Sequence, residues 1–169
     1  MDFELSTEQT AVRETFARFS DSTIAPAAAA LDEAGDFPRD IFGQLAALGF
    51  FGIRYPQSVG GSGMELVSFC LALEEISRGS LAVAGCAAMQ SLMGTDFLFR
   101  LGSETLHECL LLPALQGEKV GAICMTEPDA GSDLGSIRTS ATRVAGGYRL
   151  NGQKMWVTSA PVADFFTVF

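Results

Sequence analysis

The densest run of chemically capable residues is Met125-Thr126-Glu127-Pro128-Asp129-Ala130-Gly131-Ser132-Asp133, which directly follows an apolar stretch. Its carboxylates, Glu127, Asp129 and Asp133, raise calcium first. An EF-hand loop needs glycine at its sixth position and a bidentate glutamate at its twelfth, and Pro128 and Gly131 fall out of that register. A catalytic pair of carboxylates stays open as a reading of the segment. Set against it, acidic residues beside proline and glycine more often cap turns, and that reading is preferred. A second candidate, Tyr55-Pro56-Gln57-Ser58-Val59-Gly60-Gly61-Ser62-Gly63, is rich in glycine before a helix, where phosphate can bind. No Gly-Lys-Ser/Thr follows and no clean strand precedes it, so it fits neither the P-loop nor the dinucleotide fingerprint. A surface turn is favoured.

Metal and thiol chemistry have little to build on. Cys70, Cys86, Cys109 and Cys124 are widely spaced among apolar neighbours, with no C-x-x-C pair, which reads as buried free thiols in a reducing cytoplasm. The sole imidazole, His107, sits beside Glu108 and reads as a helix-surface residue rather than a ligand or base. No metal site is expected.

The elements that position these residues change character along the chain. Ser6 followed by Gln9 is a capping-box pattern, and Val12, Phe16 and Phe19 then recur at helical spacing. Pro26 punctuates before an alanine run. Ile41, Leu45 and Leu48 form a second stripe that stops at Gly49, and Leu66, Phe69, Cys70, Leu73 and Ile76 form a third that ends near Gly79. Further helices are expected at residues 81–93 and 104–112, the latter broken by Pro113. These stripes suit the core of a helical bundle. After Gln116-Gly117-Glu118 the period shortens, and residues 122–126, 137–144, 148–150, 153–158 and 165–169 read as strands. Gly146-Gly147 and Asn151-Gly152 supply hairpin turns.

Composition bounds the function. The chain has 169 residues, 48% of them hydrophobic and 18% charged, with a formal net charge of −9. That is ample material for a core, and the acidity argues against binding a phosphate backbone. The start, Met1-Asp2-Phe3-Glu4, lacks the features of a signal peptide. The apolar stretches at residues 66–76 and 81–93 read as too short or too interrupted to span a bilayer. A cytoplasmic location is expected.

The segment Met125-Thr126-Glu127-Pro128-x-Ala130-Gly131-Ser132-Asp133, followed by Asn151-Gly152-x-Lys154-x-Trp156-x-Thr158, resembles the flavin-binding strand pair of the acyl-CoA dehydrogenases. Phe37-Pro38, Leu48-Gly49, Tyr55-Pro56, Gly60-Gly61-Ser62-Gly63, Glu74-Glu75-Ile76 and Gly102-Ser103-Glu104 match as well, so the resemblance covers essentially the whole chain. It implies an α+β protein. An N-terminal all-α helical bundle (residues 1–118) would lead into the start of an antiparallel β-barrel-like domain (residues 119–169), with the family's C-terminal helical domain absent.

The resemblance also implies FAD as cofactor. Residues matching Trp156 and Thr158 would pack on the flavin and donate to its reactive edge, with Val157 in the same stretch. The match to Thr126 would donate to the pyrimidine end, with Met125 and, as a weaker transfer, Ile123 lining the ring. Ser132 would lie where cofactor and thioester substrate meet. On an extended strand Trp156 and Thr158 would share one face and Val157 the other.

The reaction so implied is α,β-dehydrogenation of an acyl-CoA or acyl-carrier-protein thioester, as in fatty acid metabolism. A carboxylate base takes the α-proton while the β-hydride passes to flavin N5. The family's base is a glutamate of the C-terminal domain, so no catalytic residue is expected here and the chain alone would be inactive. A complementary C-terminal half or second subunit, a truncated reading frame, or a silent assembly subunit would each account for that. A homo- or hetero-oligomer and an electron-accepting flavoprotein belong to the same expectation. The substrate pocket would be bounded by the helix around residues 81–93, where Gly85, Ala87 and Ala88 are small.

Overall fold

The computed structural model describes residues 4–169; Met1, Asp2 and Phe3, part of the start judged against a signal peptide, lie outside the described residues. Helix α1 (Thr7–Phe19) begins in the expected capping box. The Gln9 amide donates to Ser6 Oγ at 3.1 Å, and Gln9 Oε1 accepts the Ser6 N–H at 3.0 Å. Together these satisfy two of the N–H groups that a helix start leaves without partners.

The expected break at Pro26 does not occur. A π-turn (Ser20–Ile24) joins α1 to α2 (Ala25–Ala34), and Pro26 sits in the first turn of α2. The same device recurs at Pro113, which was read as a helix breaker. A π-turn (His107–Leu111) joins α7 (Glu104–Leu106) to α8 (Leu112–Leu115), with the Leu112 N–H reaching the His107 carbonyl. In both cases the residue before the proline donates five residues back, Ala25 N–H to Ser20 O and Leu112 N–H to His107 O.

Helix α3 (Arg39–Ala47) stops where Gly49 takes φ 78°, the left-handed conformation expected there. Helix α4 (Leu66–Gly79) buries Phe69, Ala72 and Ile76, whereas Leu66 and Cys70 of the expected stripe face outward. Helix α5 (Leu81–Ala88), a third π-turn (Met89–Gly94) and α6 (Asp96–Leu101) form one run, Leu81–Leu101. This corrects the reading of that stretch as interrupted, because the run is long and apolar enough to cross a membrane by length and composition. Within the fold it carries core residues, Val83, Ala84 and Ala87.

The core is aromatic. Phe42 and Phe51 lie 4.4 Å apart between ring centroids, Phe50 and Phe69 5.2 Å, and Phe16 meets Phe50 edge-on at 5.7 Å. Such offset and edge-on pairs add to the burial term. The glycine loop packs back on the chain before it: Ser62 donates to Gly52 O at 2.9 Å, Gly63 to Tyr55 O at 2.7 Å and Met64 to Ile53 O at 2.8 Å. With these N–H groups spent internally, the segment is a turn rather than a phosphate cradle.

Strand β1 (Gly121–Cys124) pairs with β4 (Phe165–Val168), and β2 (Ser140–Val144) with β3 (Gly147–Asn151). The second pair is antiparallel as expected; the first is parallel, Gly121 opposite Phe165 and Cys124 opposite Val168. The β2–β3 connection is Ala145-Gly146, with Gly146 at φ 82°. Asn151-Gly152 makes no hairpin, and residues 153–158 form no strand. Every residue of β2 and β3 is exposed, and Phe166, Val168 and Phe169 stay open to solvent, so this layer is only partly covered by the described residues.

Buried Gln90 joins the two layers. Its Nε2 donates to Ala114 O at 3.0 Å and Lys119 O at 2.9 Å, while its Oε1 accepts the Gly121 N–H at 2.8 Å. That contact is close enough that a Cβ on Gly94 would run into the Gly121 backbone, and within the β layer a Cβ on Gly121 would run into the Phe165 ring.

Candidate functional site

The motif segment leaves β1 and closes at once into a turn. Glu127 N–H donates to Ala130 O at 2.8 Å and Ala130 N–H to Glu127 O at 3.3 Å. The Glu127 carboxylate does not cap this turn, contrary to the preferred sequence reading. It reaches forward to accept the Arg138 N–H at 2.8 Å, the Thr139 N–H at 2.9 Å, the Thr139 hydroxyl at 2.5 Å and the Lys154 ammonium at 2.9 Å. Hydrogen bonds from Thr139, Arg138 and Lys154 hold its carboxyl well below the usual range, at about 2. A carboxylate that is buried, ionised and fully used as an acceptor is a poor proton acceptor for a substrate. Asp129 and Asp133 are exposed; Asp133 Oδ2 accepts the Ser136 hydroxyl at 2.5 Å without capping the turn's backbone, and Asp129 lies 3.8 Å from Arg138. The catalytic-pair reading therefore finds no support in the geometry.

The second motif folds alongside the first. Lys154 Nζ donates to Met125 O at 3.0 Å, and the Met155 N–H to Thr126 O at 2.9 Å. Trp156 then takes φ 57° and Ser159 φ 64°. This corrects the expectation of an extended strand with Trp156 and Thr158 on one face, since a left-handed residue ends the alternation. A bulky residue held in that conformation costs about 1–3 kcal/mol and persists only where neighbours enforce it. The Trp156 side chain is left 84% exposed.

The residues expected from the sequence gather on two adjoining segments. Ile123, Met125, Thr126 and Val157 are half-buried, and Ser132, Trp156 and Thr158 are exposed. A planar apolar side chain presented to solvent two residues from the Thr158 hydroxyl is the kind of surface a ring with polar edges could use. A distinct cleft lies elsewhere. Its volume is about 410 Å³, and α2, α5 and the turn at residues 159–162 enclose it, with Leu31, Phe37, Val83, Cys86 and Pro161 on its walls. It includes neither Trp156 nor Thr158, and of the helix at residues 81–93 it uses Ala82, Val83 and Cys86 rather than Gly85, Ala87 or Ala88.

Sequence reasoning missed Gln90 and Lys154 as organising residues. A glutamine inside an alanine-rich helix was the available signal for the first, and a lysine within the second motif for the second. The thiols also differ from expectation, with Cys124 buried but Cys70 and Cys109 exposed. Burial pushes the Cys124 and Cys86 thiols up. His107 is half-buried instead of lying on the surface, with Nε2 2.9 Å from Leu98 O and its ring stacked on Phe99. Among the described residues no cluster of His, Cys, Asp or Glu is arranged to hold a metal.

The helical domain followed by the start of a β domain has counterparts among known proteins. Residues 6–118 match the acyl-CoA dehydrogenase N-terminal domain, and residues 122–169 match its middle domain. The chain belongs to the acyl-CoA dehydrogenase family. It is 68% identical over 169 residues to benzylmalonyl-CoA dehydrogenase of Aromatoleum aromaticum, covering 100% of this chain and 45% of that one. The structure of butyryl-CoA dehydrogenase from Megasphaera elsdenii superposes with a TM-score of 0.91 at 31% identity, over 99% of this chain and 45% of that one. An acyl-CoA dehydrogenase complexed with FAD from Bacillus anthracis gives 0.90 at 30% identity, over 98% and 29%. The chain spans about half the length of the curated relatives it matches.

Proposed function

We propose that this chain forms the N-terminal part of an FAD-dependent dehydrogenase that introduces an α,β double bond into an acyl thioester. The observation that carries this reading is the left-handed, exposed Trp156 beside Thr158, fastened through Met155 and Lys154 to the segment bearing Met125 and Thr126. The flavin, when bound, supplies the acceptor for the β-hydride. The chain's own residues would bind and orient it: Trp156 and Val157 as an apolar wall, with Ile123 and Met125 beside them, and Thr126, Thr158 and Ser132 as hydroxyl donors. Ser132 would also meet the thioester.

The α-proton would not go to Glu127, which is already committed to four donors, and the family resemblance puts the base in the C-terminal domain. The chain by itself is therefore read as inactive, completed by further sequence or a partner chain within an oligomer and passing electrons to a flavoprotein acceptor. An aryl-substituted acyl-CoA is the substrate class favoured by the 68% identity to a benzylmalonyl-CoA dehydrogenase. The cytoplasmic location carries over from the sequence reading.

The test is a chimera in which this chain is joined after Phe169 to the remaining sequence of the Aromatoleum aromaticum relative. The expected protein is yellow and is bleached anaerobically by an aryl-substituted acyl-CoA. A folded chimera with no flavin, or one indifferent to every acyl-CoA offered, would overturn the reading.

A further inference from the structure

We propose that Glu127 is a positioning residue for the flavin-facing surface, acting through Lys154 and the turn that carries Trp156. The inference rests on the reading above and assigns Glu127 neither a substrate contact nor a proton transfer.

Three observations carry it. First, the carboxylate ignores the turn it belongs to, which backbone pairs already close, and binds partners 11, 12 and 27 residues further on. Second, Lys154 is half-buried beside it: the side chains are 11% and 7% exposed, and the ammonium bridges Glu127 Oε1 and Met125 O. A buried ammonium stripped of its carboxylate would keep one carbonyl as partner and an uncompensated charge. Third, the partners on both sides lead to the same wall. Thr139, gripped by Glu127, packs so closely on Gly152 that a Cβ there would collide with it, and Lys154 stands two residues before left-handed Trp156. Residues 152–156 thus meet the Glu127 cluster through Thr139 and Lys154, while a separate backbone bond joins Met155 to Thr126. The depressed proton affinity of Glu127 is consistent with this, since the clamp works with the charged form.

The test uses the chimera loaded with FAD. In Glu127→Gln the charge is lost while the shape is kept, and Lys154→Met removes the other member. We expect each to weaken FAD binding about tenfold, the effect of losing roughly one charge-assisted hydrogen bond. Each should also change the visible circular dichroism of the bound flavin. The double variant should be no worse than the poorer single one, because the two act as one unit. Lys154→Arg should partly restore binding.

A purely structural role would lower the unfolding temperature while leaving the spectrum of the flavin that remains bound unchanged, and that pattern overturns the proposal. If Glu127→Gln does not fold, an unaltered flavin spectrum and affinity in Lys154→Met overturns it equally. A wild-type chimera that holds flavin while both variants match it sinks this inference alone. A wild-type chimera without flavin sinks the functional reading as well.

Discussion

Gln90 Oε1 accepts the Gly121 N–H at 2.8 Å, tying the middle of the long helical run to the first residue of β1. The same side chain spends both amide hydrogens on Ala114 and Lys119 carbonyls, so one buried residue satisfies the segment where the helical bundle hands over to the β layer. Two residues beyond Gly121 the chain reaches Ile123, the first of the residues read as lining the flavin. Placement of the candidate site therefore begins in the helical core.

Replacing Gln90 by Leu keeps the volume near its present value but strands the Gly121 N–H and the Lys119 carbonyl, while Ala114 O keeps the Gly117 N–H. We expect a loss of about 2 kcal/mol or more, since each buried unsatisfied group costs about 1–3 kcal/mol. Urea unfolding of the chimera checks this; a midpoint within error of wild type would mean the junction is held by something else.

Gly121→Ala should also destabilise, through a different cause. The added methyl would enter the Phe165 ring and push β4 from β1. We expect a cost of about 1–3 kcal/mol, typical of overpacking. Gly121→Ala combined with Phe165→Leu should recover part of it, and additive losses in the pair would refute the steric account.

Phe50→Ala removes a fully buried ring that touches Phe16, Phe51 and Phe69. The expected cost is about 3–5 kcal/mol. A change below about 1 kcal/mol would show that this aromatic cluster is not the stabilising centre of the bundle.

Glu127 gives the site a pH signature. Its carboxyl sits at about 2 in the folded chain against an ordinary value of 4.5, so the bound proton is disfavoured by folding. The stabilisation is fully present above pH 4.5 and is lost as the pH falls from there through about 2. Stability measured between pH 5 and pH 2 should fall less steeply in Glu127→Gln than in wild type. Parallel curves would remove the ionised clamp from the account.

Much of the helical half was legible because its cues are local. The Ser6–Gln9 box, the Gly49 stop and the stripe through Ile41 and Leu45 depend on neighbours within a few residues. Pro26 and Pro113 misled for a physical reason: each sits at a helix start that a π-turn joins to the helix before it, and nothing in the proline itself announces that turn. The outward-facing Leu66 and Cys70 show that apolar residues on a helix need not define its buried face. In the second half, residues 153–158 look like a strand by composition, yet Lys154 and Met155 bond to the motif segment and Trp156 turns left-handed. Those contacts join residues almost thirty positions apart, beyond the reach of any local pattern. The identities at the candidate site came from the motif resemblance; their grip on one another came only with the fold.

The central claim is that Trp156 and Thr158 face the flavin from a wall built by residues 123–126. FAD content per polypeptide in the purified chimera, compared with Trp156→Ala and Thr158→Ala, tests it most directly. The account predicts about one FAD in wild type and clearly less, after identical washing, in both variants at unchanged unfolding temperature. Equal flavin content in all three proteins would contradict it.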